Sequence, residues 1–149
     1  MARVEMTRAF DVERGKLFAF ITTPDAWPSW YNNCIAVHQA NGWARVGDHA
    51  ELTIRMLGRD VAVRMELDEY TVDTHTRIHT TAQGLPDVVQ AWDLADTADG
   101  NTEVTVTLET AEATSFFGRV VDRFLLPKTI ERDLARSLDN LEDLVDIEI

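Results

Sequence analysis

His75, Arg77 and His79 recur at every second position, so in an extended strand they share one face. Turned inward, such a cluster could bind a carboxylate or exchange protons. Turned outward, it is a solvated surface with Ile78 on the buried side. Ile78 is the one large apolar residue of the segment, which favours the outward arrangement. No third ligand stands beside them for a metal ion, so neither a metal nor a cofactor is expected. The single cysteine, Cys34, follows two asparagines at a strand start and reads as a small, half-buried filler rather than a reactive thiol. Only Ser29, Ser115 and Ser137 are serines, and none sits in a G-x-S-x-G elbow. The phosphate-cradling, dinucleotide, H-E-x-x-H and C-x-x-C patterns are also absent, which argues against nucleotide, zinc and serine-hydrolase mechanisms.

Polar residues at positions whose neighbours face a core carry more information, because burying them unpaired is costly. Arg8 and Gln90 are the candidates, with Asp93 a third if its strand is shifted by one. Arg8 can instead leave the core at the strand end, its stem lying over apolar surface. Trp27, Trp30 and Tyr31 form an aromatic group that can be a cavity lip or a staple holding short helices to a sheet. Trp27, beside Pro28, fits the staple; Trp30 and Tyr31 fit either role. No acid–base pair is legible in the sequence, which leaves the catalytic residues, if any, unknown.

These residues need elements to hold them. Ala2 to Phe10 alternates as a first strand, with Val4, Met6, Arg8 and Phe10 on one face. Asp11 can cap a short helix bearing Leu17, Phe18, Phe20 and Ile21, and a second short helix follows Pro24 and ends near Tyr31. Ile35 to Gln39 is a strand. Ala50, Leu52, Ile54 and Met56 then alternate with charged or polar residues, a turn falls at Gly58-Arg59-Asp60, and Val61, Val63, Met65 and Leu67 alternate in return. Asp73 to Ala82, Val88 to Ala95 and Glu103 to Thr110 complete the strands, with Gln90, Trp92, Leu94, Val104, Val106 and Leu108 facing in.

From Ser115 to Val145 the spacing becomes helical. Phe117, Val120, Val121, Phe124, Ile130, Leu134, Leu138, Leu141 and Val145 form a stripe, and Asp133, Arg136, Asp139 and Glu142 fall on the wet side. Pro127 and a change of phase between Phe124 and Ile130 predict a kink between an aromatic arm (Phe116 to Leu126) and a leucine-rich arm (Ile130 to Val145). The predicted fold is α+β: a curved antiparallel sheet of about seven strands wrapped around a long C-terminal helix, with two short helices after the first strand.

The 149 residues fit one domain, 1–149, and 45% hydrophobic residues suffice for one core. With 14 basic and 26 acidic residues the formal charge is −12, which disfavours nucleic acid and anionic membrane surfaces as partners. No long apolar run opens the chain and none elsewhere is long enough for a membrane span. With a single cysteine, a cytoplasmic location is the expectation.

The order of elements carries three local signatures: Phe18-Ala19-Phe20-Ile21 followed by Pro24-Asp25-Ala26-Trp27-Pro28-Ser29-Trp30; Gly47 opening a strand; and Gly100-Asn101-Thr102-Glu103-Val104-Thr105 before the last strand. In this it resembles the helix-grip superfamily (SRPBCC, START-like) that includes Bet v 1-like allergens, START lipid-transfer domains and bacterial polyketide cyclases. It is most similar to the single-domain bacterial polyketide cyclase/dehydrase and lipid-transport group. The resemblance spans essentially the whole chain and implies an apolar cavity between sheet and helix that holds a hydrophobic molecule. Fold alone does not fix which.

Trp30, Tyr31, Leu52, Ile54, Met56, Val63, Met65, Gln90, Trp92, Phe117, Val121 and Phe124 are the expected ligand-binding residues, although the same side chains could fill a dry core. The expected function is binding or transport of a lipid or polyketide-like molecule. The alternatives are a cyclase, aromatase or dehydratase that works largely by holding a flexible chain in one folded shape, and a protein-interaction or stress-related module. Ligand identity and oligomeric state are not legible.

Overall fold

Val4, Met6, Arg8 and Phe10 turn one face of the first strand, Ala2–Phe10 (β1), inward, with Phe10 fully buried at its end. This is seen in a computed structural model that describes residues 2–110, 115–116, 119–120 and 125–148, with side chains of 3–110 and 128–146. Helix Arg14–Ile21 (α1) follows, then a single tight turn over Pro24–Ala26 and the short helix Trp27–Trp30 (α2). The strands Cys34–Ala40 (β2), His49–Met56 (β3), Arg59–Thr71 (β4), His75–Thr81 (β5), Val88–Asp96 (β6) and Thr102–Thr110 (β7) come next. The curved sheet they form with β1 runs in the order β1-β7-β6-β5-β4-β3-β2, every pair antiparallel. β1 and β2, neighbours in sequence, are opposite edges. The segment between them, carrying α1 and α2, therefore has to cross from one edge of the sheet to the other.

Two short strands, Ser115–Phe116 (β8) and Arg119–Val120 (β9), pair with each other, and helix Leu125–Glu148 (α3) closes the chain. Ile130, Leu134, Leu138, Leu141 and Val145 of α3 are buried, while Arg136, Asp139 and Glu142 are exposed. Burying such a side chain is worth roughly 1.5–3 kcal/mol, so the stripe is what fixes the helix to the rest of the protein. At one end of β1, Arg8 bonds Asp139 and lies 3.6 Å from Glu142, so this inward-facing cation is neutralised by the helix.

Several details differ from the sequence reading. The first part of the aromatic arm is not helical where it is described: Phe116, with Ser115 before it, pairs as a strand with Arg119–Val120, in keeping with Gly118, a poor helix residue, and only Leu125 and Leu126 belong to α3. Pro127 is the third residue of α3, and residues 121–124, across which the expected kink would join the two arms, lie outside the described residues. First-turn N–H groups lack helical partners in any helix, so a proline costs little there. Glu13 rather than Asp11 stands at the start of α1, and its side chain makes no cap. The hairpin turn is Leu57-Gly58, both at positive φ (51° and 78°), because a two-residue turn of that hand matches strand twist. Arg59 and Asp60 are already paired with Met56 and Arg55. Finally, β4 carries an irregularity between Leu67 and Glu69 that switches its inward residues from odd to even numbers, so that Tyr70 packs edge-on to Phe18 at 5.5 Å.

Candidate functional site: a cavity between the sheet and the last helix

The inner faces of β3 to β7 and the buried side of α3 do not close on each other completely. They leave a cavity of about 90 Å³. Its sheet walls are Leu52, Ile54 and Met56 from β3, Met65 from β4, Thr80 from β5, Val88 and Gln90 from β6, and Leu108 from β7. Strand pairing explains this grouping: Met65 lies opposite Thr80, and Gln90 opposite Leu108. Helix α3 adds Ile130, Asp133, Leu134 and Ser137, and the segment after α2 adds Tyr31, Asn33 and Cys34. A smaller space of about 40 Å³ adjoins it, sharing Ile54, Met56 and Ile130 and adding Val63, Leu85 and Pro86.

Tyr31, Gln90, Asp133 and Ser137, four of the polar groups of this wall, are hydrogen-bonded. The Gln90 side-chain amide donates to the Tyr31 hydroxyl. Asn32 donates from its side chain to Asp133 Oδ1 at 3.0 Å and from its backbone to Ser137 Oγ at 2.8 Å, and Ser137 donates in turn to the Asp133 carbonyl at 2.8 Å. Burial shifts the acids toward their neutral forms. The Tyr31 phenol is raised well above its ordinary value by burial, against the lowering effect of the Gln90 hydrogen bond. The Cys34 thiol is pushed up to about 11 by burial, which makes it inert at neutral pH. Asp133 is also raised by burial, opposed by the Asn32 hydrogen bond and the charges of Arg132 and Arg136.

Residues 1–146 match the family described as "Polyketide cyclase / dehydrase and lipid transport". The chain belongs to that family. Solved structures of the same fold include a START superfamily protein from Mycobacterium smegmatis (12% identity, TM-score 0.79, covering 99% of each chain). A protein from Thermus thermophilus, TTHA0849, is 13% identical with a TM-score of 0.77, covering 99% of this chain and 100% of that one. Ara h 8.0201 is 16% identical with a TM-score of 0.71, covering 97% of both. No curated protein matches. The family model thus gives the family and the solved structures the fold, and no helix among the described residues is long and apolar enough to cross a membrane.

Within this family member, Tyr31, Leu52, Ile54, Met56, Met65 and Gln90 line the cavity, and Val63 lines the adjoining space. Trp30 and Trp92 are absent from both walls; they are 1% and 2% exposed and pack edge-on to each other at 5.7 Å. Trp30 also stacks on Tyr31 at 4.7 Å, so it backs the wall instead of forming it. Phe117, Val121 and Phe124 lie outside the residues whose side chains are described. Trp27 staples: its indole donates to the Ile21 carbonyl at 3.0 Å, and its ring meets Trp43 edge-on at 5.0 Å.

Asp133 and Ser137, assigned no role in the sequence reading, are cavity residues, and Asp133 is not on the wet side: its side chain is 14% exposed. The signal was available, because 130, 133, 134 and 137 are spaced as one helical face. Thr80, Val88, Leu108 and Ile130 were also missed as wall positions, though each follows from strand or helix periodicity.

His75, Arg77 and His79 occupy the outer face of β5, with Ile78 buried behind them. His75 bridges Asp93 (2.6 Å) and Glu69 (2.9 Å), and His79 pairs with Asp87 at 3.2 Å. Asp93 is therefore outward too. Glu69 reaches His75 because of the irregularity in β4. A wide hollow of about 370 Å³ lies against His75, Arg77 and Glu69. Its charged groups are already satisfied by their neighbours, with Arg77 3.9 Å from Glu69. Among the described residues no three histidine, cysteine or carboxylate side chains converge as metal ligands would.

Proposed function

We propose that this chain binds a small hydrophobic molecule in the cavity between its sheet and α3, as a carrier or binding module. The observation that carries the reading is an unfilled space walled mainly by Leu52, Ile54, Met56, Met65, Val88, Leu108, Ile130 and Leu134 in a core otherwise densely filled by Trp27, Trp30, Trp43 and Trp92. Packed interiors rarely leave space of this size unless something uses it, and the two methionines supply adaptable walls. The family supports the same reading. Ligand sites are commonly larger, about 300–1,000 Å³, so the ligand is compact or the methionine side chains swing aside on entry. A cytoplasmic location fits the single, buried Cys34 and the absence of any disulfide need.

A cyclase, aromatase or dehydratase is the second reading, favoured by Asp133, an ionisable group in the cavity wall. Against it, the hydrogen-bond partner of Asp133 is Asn32 and that of Tyr31 is Gln90, so among the described residues no two acid–base groups of the wall are paired for proton transfer. Native mass spectrometry of gently purified protein separates the readings from an empty scaffold. A co-purified small molecule, lost on unfolding, is expected. No adduct, together with no uptake of added ethylbenzene, would remove the binding function.

A further inference from the structure

Hydrogen-bond stoichiometry at the polar end of the cavity limits what fits there. Gln90 carries two amide hydrogens and Tyr31 one hydroxyl hydrogen. The contact between them uses one, whichever group donates and whichever way the amide is turned. Two donor hydrogens remain, and among the described residues neither has a further acceptor; lone pairs on the amide and phenol oxygens are also spare, but buried donors are left unmatched less often than acceptors. Gln90 is only 2% exposed, so leaving them unmatched is unfavourable. Both residues line the cavity.

The charge of the wall points the same way. Its ionisable groups among the described residues are Tyr31, Cys34 and Asp133, all acids, with no lysine, arginine or histidine. A carboxylate entering here would meet surplus donors at one point but also the Asp133 carboxylate, with no cation to offset it. A neutral carbonyl oxygen has two lone pairs for the two spare donors and brings no charge. Size adds a limit. A cavity of about 150 Å³ holds benzene in an engineered protein, and here about 90 Å³ adjoins about 40 Å³.

We propose that the cavity takes a compact, uncharged ligand of about one ring, with a ketone, aldehyde or ester oxygen seated on the Tyr31–Gln90 pair, and that it rejects carboxylates. This rests on the hydrophobic-binding function proposed above and names the chemical class of its ligand.

Three probes of nearly one shape separate the two claims: acetophenone, α-methylstyrene (a CH₂ in place of the oxygen) and benzoate, titrated at pH 7 into the full chain. All arms are read by calorimetry. The ratio of acetophenone to α-methylstyrene affinity in the unaltered protein should fall about tenfold in the Tyr31→Phe/Gln90→Leu double variant. Benzoate should bind at least tenfold more weakly than acetophenone. Retained α-methylstyrene binding certifies that the variant is folded. Should the variant not fold, the infrared carbonyl band of acetophenone bound to the unaltered protein decides alone: a shift below its position in hexane is expected. If none of the three binds, the binding function itself fails. If the aromatic probes bind but the ratio is unchanged, the carbonyl band is unshifted, or benzoate binds as well as acetophenone, the carbonyl assignment alone is overturned.

Discussion

The Gln90 amide donates to the Tyr31 hydroxyl, tying the chain just after α2 to an inner strand of the sheet. Because Tyr31 also stacks on Trp30, and Trp30 packs on Trp92, this contact joins the cavity wall to the aromatic core behind it. The wall is therefore braced by stacked rings on that side. The other side, with Met56 and Met65, is the one able to adapt.

Met65→Trp tests whether the space by Met65 is open. In a filled core the larger side chain overpacks and costs about 1–3 kcal/mol. In the cavity, urea denaturation should show a smaller loss, while ethylbenzene affinity falls at least tenfold. A large stability loss with no probe binding in the unaltered protein would mean a closed core.

Ser137→Ala removes the acceptor of the Asn32 backbone N–H at a residue that is 1% exposed. Asn32 is itself exposed and the bond is only part-buried, so the expected loss is that of an ordinary hydrogen bond, about 0.5–1.5 kcal/mol in urea. A neutral outcome would mean that water replaces the hydroxyl.

Asp133→Asn should stabilise the protein at pH 7. Burial raises the folded value of Asp133 above its unfolded one, so stability is fullest below the unfolded value and is lost as pH rises through the folded one. The replacement amide keeps an acceptor for Asn32 and cannot ionise. A gain below about 1 kcal/mol at pH 7, shrinking toward pH 3, is expected, since water still screens this group. A loss at pH 7 would show that the carboxylate is favourably held.

His75→Gln should carry the opposite diagnostic. Burial disfavours the charged ring, but hydrogen bonds and charge from Glu69 and Asp93 outweigh it and raise the folded value. The stabilisation is then present below the ordinary histidine value and lost as pH rises through the folded one. The variant should be less stable than the unaltered protein by under about 1 kcal/mol at pH 5.5 and by little at pH 8.5. An equal deficit at both values would assign the loss to packing.

The alternation of Leu52, Ile54 and Met56 against Val63 and Met65 was sufficient to place the sheet wall of the cavity, because a strand has only two faces. It could not tell a wall from a core. Trp92 shares its inward face with Gln90, yet only Gln90 reaches the space, since Trp30 covers the ring of Trp92. Asp133 was misplaced because charge was read as exposure, although its spacing from Ile130 and Ser137 put it on the buried face. The irregularity near Asp68 and the strands at 115–116 and 119–120 were not readable from hydrophobic spacing. A one-residue slip reverses the faces of a strand without changing composition, and Phe117, Val120 and Val121 suit a helix and a strand equally well.

The central claim, that a hydrophobic molecule enters this cavity, is tested most directly by methyl NMR of the chain labelled at its four methionines. Met56 and Met65 line the cavity and Met6, on β1, does not. On titration with ethylbenzene the Met56 and Met65 methyl signals should move to saturation while Met6 stays fixed. No movement, or equal movement of all signals without saturation, would contradict the account.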